Sequence, residues 1–581
     1  MLRRLFRCAL GLALVAGCGG EAPDEDGLDD DIAVPGKADD AWGACQVRQV
    51  LAWVNEPTTS AAVLKTIGLT SRPCKNIVSH RDGQDRLPTT ADDDLFDTIE
   101  ELDAVPYVGP KAMQRLVEAV AERCQARPEP ELVFSPQAYE ASHLAKLATW
   151  IQGAQRSIDV AMYSFSDTNT LNALDAAVRR GVKVRFVFET ASEDRKAPAG
   201  TWSAKLEDRG VDVRYVNKIM HHKFAIIDGP RDAVEQAYSG RLVTGSGNWS
   251  NSAATRYDEN TAFIQGDGEL LLRFQKEFNL LWENSRDFAW NLSLLQERGL
   301  PIADALIPDD PGVDAVYTSA NFRTTTTAAG PGFTLVTGSD TVADRLVALI
   351  QGAQSSIHVA SGHLRSRPVA LALMARHAER PDMDIRVYLD NQEFISEWYD
   401  SQQQAELATC LQAAGTSEAK QRACYDKGYY YSFPVQAAGV PVRFKAYCYR
   451  WAASYAKQMH HKYFVFDGRL VASGSYNLSD NAEHATLENL VLYDATRFPG
   501  LVQAFEQNFE RIWVTGEAEG RYAALLAQLE AGSGPVPIVF DPMALDQAQL
   551  TLLKDEIRTH CPAVNSDPYR LEPEKHLTCE R

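Results

Sequence analysis

Positive charge is scarce in this sequence, where 58 lysine and arginine residues stand against 78 aspartate and glutamate residues for a formal net charge of −20. Proteins that enclose nucleic acid over their whole surface neutralise phosphates with clustered Lys and Arg, so this balance argues against that class and leaves a local basic site open. Cysteine pairs with CxxC spacing are also absent, which disfavours zinc. Zinc is therefore the weaker interpretation of the cysteines, and we expect no cofactor. Its 581 residues predict about three or four domains.

A membrane-spanning run is missing at the N-terminus as well, because the apolar stretch from Leu10 to Ala16 is too short to cross a bilayer. It follows the basic residues Arg3, Arg4 and Arg7, an order typical of an export signal over residues 1–17. Residues 14–18 resemble a bacterial lipoprotein box, which implies a lipidated Cys18; a plain secretory signal is the alternative. We expect an exported lipoprotein, anchored to a membrane on its extracytoplasmic side.

Residues 18–42 have few apolar side chains. Between Glu21 and Asp40 lie nine acidic residues and one lysine, with Pro and Gly interspersed. Such a segment cannot bury enough apolar surface to fold, so we expect a flexible tether.

The cysteines agree with export. Without Cys8 of the signal and the lipidated Cys18, eight of the ten remain, and an even number fits an oxidising compartment. Short spacing predicts one local bridge between Cys410 and Cys424 and another between Cys561 and Cys579.

Two ten-residue segments, 152–161 and 351–360, are identical at eight positions and indicate duplicated halves. In each half, helical and strand patterns alternate: 144–152, 158–163, 170–180 and 182–188, then 342–350, 357–361, 370–378 and 385–389. This alternation predicts an α/β fold with largely parallel sheets. We expect one lobe over 128–296, a second over 315–516, and a C-terminal extension over 517–581. Aromatic residues in an insertion at 391–440 either line a substrate entrance or pack beneath a loop.

Each half carries the same string, His-x-Lys-x-x-x-x-Asp, with a second His at its second position. The first copy contains His221, His222, Lys223 and Asp228, and the second contains His460, His461, Lys462 and Asp467. Side chains alternate along a strand, so the first His and the Lys share one face while the second His points away. We interpret the second histidines as structural and the aspartates, at the strand ends, as supporting ion-pair partners.

A Gly-Ser-x-Asn turn and a glutamate follow each string. The first set is Ser246, Asn248 and Glu259, and the second is Ser475, Asn477 and Glu488. Each Glu lies eleven residues after its Asn, and one ten-residue insertion between Asp228 and Gly245 explains the different distance from the histidine. A single histidine would be explained better by packing, but two matched sets indicate one site.

This set suits the cleavage of a phosphodiester. Lysine, serine and asparagine donors neutralise the phosphate oxygens as charge builds up. One neutral imidazole attacks phosphorus while the other, protonated, delivers a proton to the leaving alcohol. A carboxylate on the remote ring nitrogen fixes the tautomer of each imidazole, the role we assign to Glu259 and Glu488.

The two strings resemble the HKD motifs of the phospholipase D superfamily, and the resemblance covers about residues 131–514. It implies two pseudo-twofold αβ lobes, no metal, a phosphohistidine, and the usual assignment of His221 as nucleophile and His460 as acid. The sequence Met-His-His-Lys-Phe at 220–224 resembles the motif of the branch that contains bacterial endonucleases and mitochondrial cardiolipin hydrolase-like enzymes. The leading hypothesis is an enzyme that acts on phospholipids, and the alternative is an extracytoplasmic nuclease. A degenerate binding protein is disfavoured because both motifs are intact.

Residues 43–127 form a separate helical module in this interpretation. The segments 76–83 and 99–112 resemble the tandem helix-hairpin-helix of competence-type DNA receptors, which implies possible DNA binding through backbone amides. Tyr107 stands where a glycine is expected, and Asp92, Asp93 and Asp94 are acidic. The alternative is a structural or protein-contact module.

Overall fold

The computed structural model describes residues 42–124, 128–288, 299–307, 310–449, 456–532, 536–560 and 578–579. Contacts divide these residues into two compact units, one with residues 42–47 and 57–119 and the other with residues 48–56 and everything described from 120 onward. Cys18 and Cys561, with the lipidation and the bridge predicted for them, lie outside the described residues. Within the described ranges, no helix combines the length and apolar character that a bilayer crossing requires.

The smaller unit is helical, as predicted. Ser60 and Thr98 begin two of its helices, because each hydroxyl accepts a hydrogen bond from a first-turn amide. The tight turn before the last helix places Tyr107 at φ 70°, the left-handed conformation that usually selects glycine. The first helix, α1 (Ala44–Asn55), has most of its residues in the larger unit. The helices of the smaller unit are α2 (Ala61–Thr66), α3 (Ser71–Arg81), α4 (Ile99–Asp103) and α5 (Pro110–Ala119).

The first lobe of the larger unit is one sheet covered by helices. Its strands are β1 (Glu131–Ser135), β2 (Ser157–Met162), β3 (Lys183–Phe188), β4 (Asp212–Tyr215), β5 (Ile219–Met220), β6 (Lys223–Ile227), β7 (Arg241–Gly245), β8 (Glu259–Gln265) and β9 (Arg286–Asp287). Its helices are α6 (His143–Gln152), α7 (Thr168–Arg179), α8 (Ser192–Lys196), α9 (Trp202–Glu207), α10 (Asn251–Thr255) and α11 (Gly268–Glu283).

The second lobe repeats this order, with a β-hairpin over residues 322–335 inserted after its first strand. Its strands are β10 (Val313–Tyr317), β11 (Phe322–Thr327), β12 (Gly330–Leu335), β13 (Ser356–Ser361), β14 (Asp384–Asp390), β15 (Val442–Cys448), β16 (Lys462–Phe466), β17 (Leu470–Gly474), β18 (Thr486–Leu487), β19 (Asn489–Asp494), β20 (Val536–Pro537), β21 (Val539–Asp546) and β22 (Thr578–Cys579). Its helices are α12 (Thr341–Gly352), α13 (Arg367–Glu379), α14 (Glu397–Ala414), α15 (Glu418–Tyr425), α16 (Ser432–Ala437), α17 (Asp480–Ala485), α18 (Pro499–Trp513), α19 (Arg521–Ala531) and α20 (Gln547–His560).

The two main sheets have matching strand orders, β1-β8-β7-β6-β2-β3-β4-β9 and β10-β19-β17-β16-β13-β14-β15-β21. This confirms two duplicated α/β lobes. The prediction of largely parallel sheets is wrong, because only β2-β3-β4 and β13-β14-β15 run parallel and the other pairings are antiparallel. Hairpin connections such as β6-β7 give antiparallel neighbours. β21 pairs with β15, so part of the predicted extension completes the second sheet.

The core between the lobes is shared. Phe224 and Phe278 of the first lobe and Tyr463 and Phe505 of the second belong to one buried cluster. Burial of such aromatic side chains contributes about 1.5–3 kcal/mol each, so the pairing of the lobes is part of the fold. The predicted Cys410–Cys424 bridge is confirmed and joins α14 to α15 in the insertion.

Candidate active site

The two His-Lys motifs meet where short backbone segments of each lobe form hydrogen bonds to the other lobe. Just before the first motif, β5 pairs with β18 of the second lobe, and the His221 amide donates to Leu487 O at 3.1 Å. In the second motif the His460 amide donates to Asp258 O at 3.0 Å. Because each histidine is tied to the segment that precedes the opposite lobe's glutamate, both motifs converge on one site.

Each imidazole pairs with the glutamate of the opposite lobe. His221 Nδ1 lies 2.7 Å from Glu488 Oε1, and His460 Nδ1 donates to Glu259 Oε1 at 2.6 Å. Both glutamates are fully buried. A carboxylate at Nδ1 holds the proton on that nitrogen and leaves Nε2 available for chemistry. Sequence reasoning placed the glutamates in this role, and the structure adds that the partners are exchanged between the lobes.

Two buried lysines supply the positive charge of the site. Lys223 Nζ donates to the His221 carbonyl at 2.7 Å and lies 3.2 Å from His221 Nε2. Lys462 Nζ donates to the His460 carbonyl at 2.9 Å. Burial lowers the pKa of Lys223 to about 7 and that of Lys462 to about 8. An entering anion replaces the lost hydration and raises both values.

Burial also shifts the pKa values of the histidines and the glutamates. It lowers the pKa of His221 and His460 well below the usual value, and repulsion from Lys223 and Lys462 adds to this effect. It raises the pKa of Glu259 and Glu488 to about 7. At neutral pH the site without substrate therefore contains neutral imidazoles, the protonation state that a nitrogen nucleophile requires.

This paired arrangement agrees with comparisons to known proteins. A family model described as "Cardiolipin synthase, PLD-like domain" matches residues 147–282 and 346–513, together more than half of the chain. The chain belongs to the phospholipase D superfamily.

Curated relatives resemble one part of this phospholipase D-like chain. The mitochondrial cardiolipin hydrolase of Xenopus laevis is 33% identical over 152 residues, 26% of this chain and 66% of that protein. The protein of the same name from Danio rerio is 33% identical over 158 residues, 27% of this chain and 63% of that protein. The chain thus spans just under two thirds of the length of these relatives. Among solved structures, the phospholipase D family member Nuc from Salmonella typhimurium is 27% identical with a TM-score of 0.23, covering 28% of this chain and 99% of Nuc.

The second histidines of the motifs turn away from the site, as strand alternation predicts. Both are fully buried. His222 Nδ1 lies 3.0 Å from Asn489 Nδ2, and His461 Nδ1 lies 3.2 Å from Asn260 Oδ1. Each contact crosses between the lobes, so these rings hold the interface.

The serines of the two turns lie beneath the site. Ser246 and Ser475 are fully buried, and each hydroxyl accepts the amide of the residue after a site glutamate, at 3.0 Å from Asn260 N and from Asn489 N. Hydrogen bonding by these serines also lowers the pKa of Glu259 and Glu488 against the larger effect of burial. The structure adds support of the glutamates to the phosphate contact predicted for these serines, which stays a prediction.

Asn248 and Asn477 remain the turn residues open to a ligand. Both side chains are partly exposed, and each Oδ1 is buried without a hydrogen-bond partner among the described residues. Such a carbonyl needs a donor from a ligand or from water.

The motif aspartates bind the repeated segments. Asp228 accepts the amides of residues 155–157 and pairs with Arg241 at 3.2 Å. Asp467 accepts the amides of residues 354–356. Both have positive φ, 53° and 56°. The ion pair predicted for Asp228 is confirmed, whereas at Asp467 the structure gives backbone amides, since a strand-end carboxylate can cap the start of the neighbouring strand.

Sequence reasoning missed three residues around the histidines. The Tyr163 ring lies 4.5 Å from the His221 ring. In the second lobe, His363 Nδ1 contacts the buried Glu393 at 2.9 Å, and repulsion from His363 contributes to the low pKa of both His221 and His460. The matching positions of the repeats are Gly362 for Tyr163 and Ser164 for His363. Comparing the aligned halves for such differences would have found them.

The aromatic residues of the insertion differ in burial, and a substrate entrance among them stays a prediction. Tyr429 and Tyr431 are buried and pack in the core of the second lobe. Tyr399 and Tyr430 line a surface cavity with Lys554 and Arg558. Trp398 is 68% exposed.

Proposed function

We propose that this chain is a phosphodiesterase that cleaves phospholipid head groups through a covalent phosphohistidine. The observation that carries the proposal is the exchange of carboxylates between lobes: Glu488 contacts Nδ1 of His221 and Glu259 contacts Nδ1 of His460, which leaves both Nε2 atoms for a phosphate. Membership of the phospholipase D superfamily supports the reaction class.

In the first step, Nε2 of His221 attacks phosphorus and the bond from phosphorus to the head-group oxygen breaks. His460, protonated at Nε2 once the anionic substrate has raised its pKa, gives its proton to the departing alkoxide. Glu488 stabilises the positive charge that develops on the ring of His221. The products are a free head-group alcohol and a phosphatidyl-histidine.

In the second step, a water molecule or another alcohol attacks phosphorus and His460 Nε2 takes its proton. The phosphorus–nitrogen bond then breaks and restores His221. Lys223 and Lys462 neutralise the non-bridging oxygens in both steps, and Asn248 and Asn477 donate through Nδ2. Asp228 and Asp467 keep the motif strands in place.

A phospholipid is the substrate that the relatives favour, because the matched proteins are named cardiolipin hydrolases and the matching family is described as cardiolipin synthase. We also propose that Cys18 carries the lipid anchor and that the enzyme acts outside the cytoplasm. Tethering raises the local concentration of lipid substrate.

The test uses the purified full-length chain and phospholipid vesicles without added metal. We expect release of the head group by the wild type and loss of release in His221→Ala and His460→Ala. His377→Ala, which removes a histidine of α13 outside the site, serves as the control and retains activity. Full activity in both site variants would contradict the mechanism.

A nuclease is the second candidate, favoured by the turn at Tyr107, which has the left-handed backbone of a glycine hairpin although a tyrosine occupies it. Amides at such a hairpin can hold a DNA phosphate. Plasmid nicking in the presence of a chelator, abolished by His221→Ala, would support this candidate over the lipid enzyme.

A further inference from the structure

A second cavity lies in the first lobe beside the His221 strand. It has a volume of about 390 Å³ and is lined by residues after β3, at the end of β4 and before β5. β3 and β4 are parallel, and ligands of α/β sheets bind at the carboxyl ends of parallel strands. We call this cavity the basic pocket.

Three cations from separate elements line the basic pocket: Arg195 of α8, Lys218 and Arg286 of β9. Within the described parts of the chain, no ion pair of 4.0 Å or less joins any of them to a carboxylate, although Arg195 attracts Glu189 of the same lining and lowers its pKa against the larger effect of burial. Most other buried or half-buried arginines here form such a pair, as with Arg185 and Asp159 at 2.7 Å. Three cations that face a single half-buried carboxylate, Glu189, in a chain of net charge −20, indicate an anionic ligand.

These cations are held in place before any ligand arrives. Arg195 lies 4.1 Å over the Tyr215 ring, and Lys218 Nζ lies 4.9 Å over the Phe322 ring. Arg286 Nε donates to Pro331 O at 3.0 Å. Ordering the side chains in advance lowers the entropic cost of binding.

The pocket adjoins the candidate active site. Glu189, which lines it, accepts the Met220 amide at 2.6 Å, directly before His221. Ile219, also in the lining, is 39% exposed. An exposed large apolar residue beside cations suits a lipid better than a nucleic acid backbone.

We propose that the basic pocket binds a second phosphate of the substrate, distinct from the phosphate that is cleaved, and so selects lipids that carry two phosphates. This inference rests on the proposed function and narrows its substrate class. Glu189 is the one carboxylate in the lining, and burial raises its pKa, which lessens its repulsion of an anion.

The kinetic test compares cardiolipin, with two phosphates, and phosphatidylcholine, with one, each at low mole fraction in non-ionic detergent micelles. We expect Lys218→Gln to raise KM for cardiolipin about tenfold and to leave phosphatidylcholine within about twofold. Arg323→Gln removes an exposed cation of β11 outside the pocket and should change neither substrate. An equal effect on both lipids, or the same effect from Arg323→Gln, would overturn the proposal.

A binding test does not depend on turnover and so separates this proposal from the proposed function. Calorimetric titration with inorganic phosphate should show two sites in the wild type and one after Lys218→Gln combined with Arg195→Gln and Arg286→Gln. Unchanged stoichiometry would refute the pocket. Loss of oligonucleotide binding in the triple variant, without any change for cardiolipin, would replace the lipid by nucleic acid and overturn the assignment.

Discussion

Replacing the two exchanged glutamates should separate the roles of the two histidines. Glu488 contacts His221 and Glu259 contacts His460, so each substitution perturbs the imidazole of the opposite lobe. Glutamine keeps an oxygen that can accept the Nδ1 hydrogen and removes only the charge.

The magnitude follows from the geometry. The pairs are separated by 2.7 and 2.6 Å at the contacting atoms, and both carboxylates are fully buried. Charges centred about 4 Å apart interact by about 4 kcal/mol at an effective dielectric constant of about 20. Losing that stabilisation of a cationic ring slows the affected step about a thousandfold.

The assay is a pre-steady-state burst with two diesters that differ in the leaving alcohol. A p-nitrophenyl leaving group needs little help from a proton, whereas choline does. In Glu259→Gln we expect a burst of nitrophenol within about tenfold of the wild-type rate, while choline release falls about a thousandfold. In Glu488→Gln the release rates of nitrophenol and of choline both fall, because the nucleophile itself is impaired.

The control is Glu506→Gln, which removes a carboxylate 2.9 Å from His358, a buried histidine outside the site, and should leave both rates unchanged. The reverse pattern, with Glu488→Gln sparing the aryl substrate, would exchange the roles of His221 and His460. Losses below tenfold in both site variants would refute the cross-lobe pairing as part of the mechanism.

Three further outcomes are expected. In pH profiles, kcat/KM should fall as pH rises through about 7 to 8, because the free site then loses the charge of Lys223 and afterwards that of Lys462. The profile of kcat should fall only at higher pH, because bound phosphate raises both pKa values. Coincident profiles of kcat and kcat/KM would contradict this. His363→Asn should shift the acidic limb of the kcat/KM profile to higher pH, because it removes repulsion that lowers the pKa of His221 and His460, whereas a purely structural role would change only the urea midpoint. Asp467→Ala should lower the free energy of unfolding in urea by about 2–3 kcal/mol, because it loses the amide contacts and places alanine at a positive φ. Asp467→Asn should recover most of that stability. Equal losses of stability in the two variants would exclude the amide contacts as the cause.

The sequence predicted the duplicated lobes, the strands and helices around each motif, and the membership of the histidines and lysines in one site. These features depend on local patterns: apolar periodicity, strand alternation around His221 and Lys223, and equal spacing from Asn to Glu. It also predicted the Cys410–Cys424 bridge, because fourteen residues of separation make that pairing local.

Tertiary structure decided the rest. Which glutamate serves which histidine depends on the exchange of β5 and β18 between lobes, and no spacing within one motif encodes a contact made with the other. The mixed sheets likewise follow from hairpin connections that periodicity does not distinguish from crossovers. The support that Ser246 gives to Glu259 and the meeting of Arg195, Lys218 and Arg286 in one pocket were likewise decided there, because distant segments meet only when the chain packs.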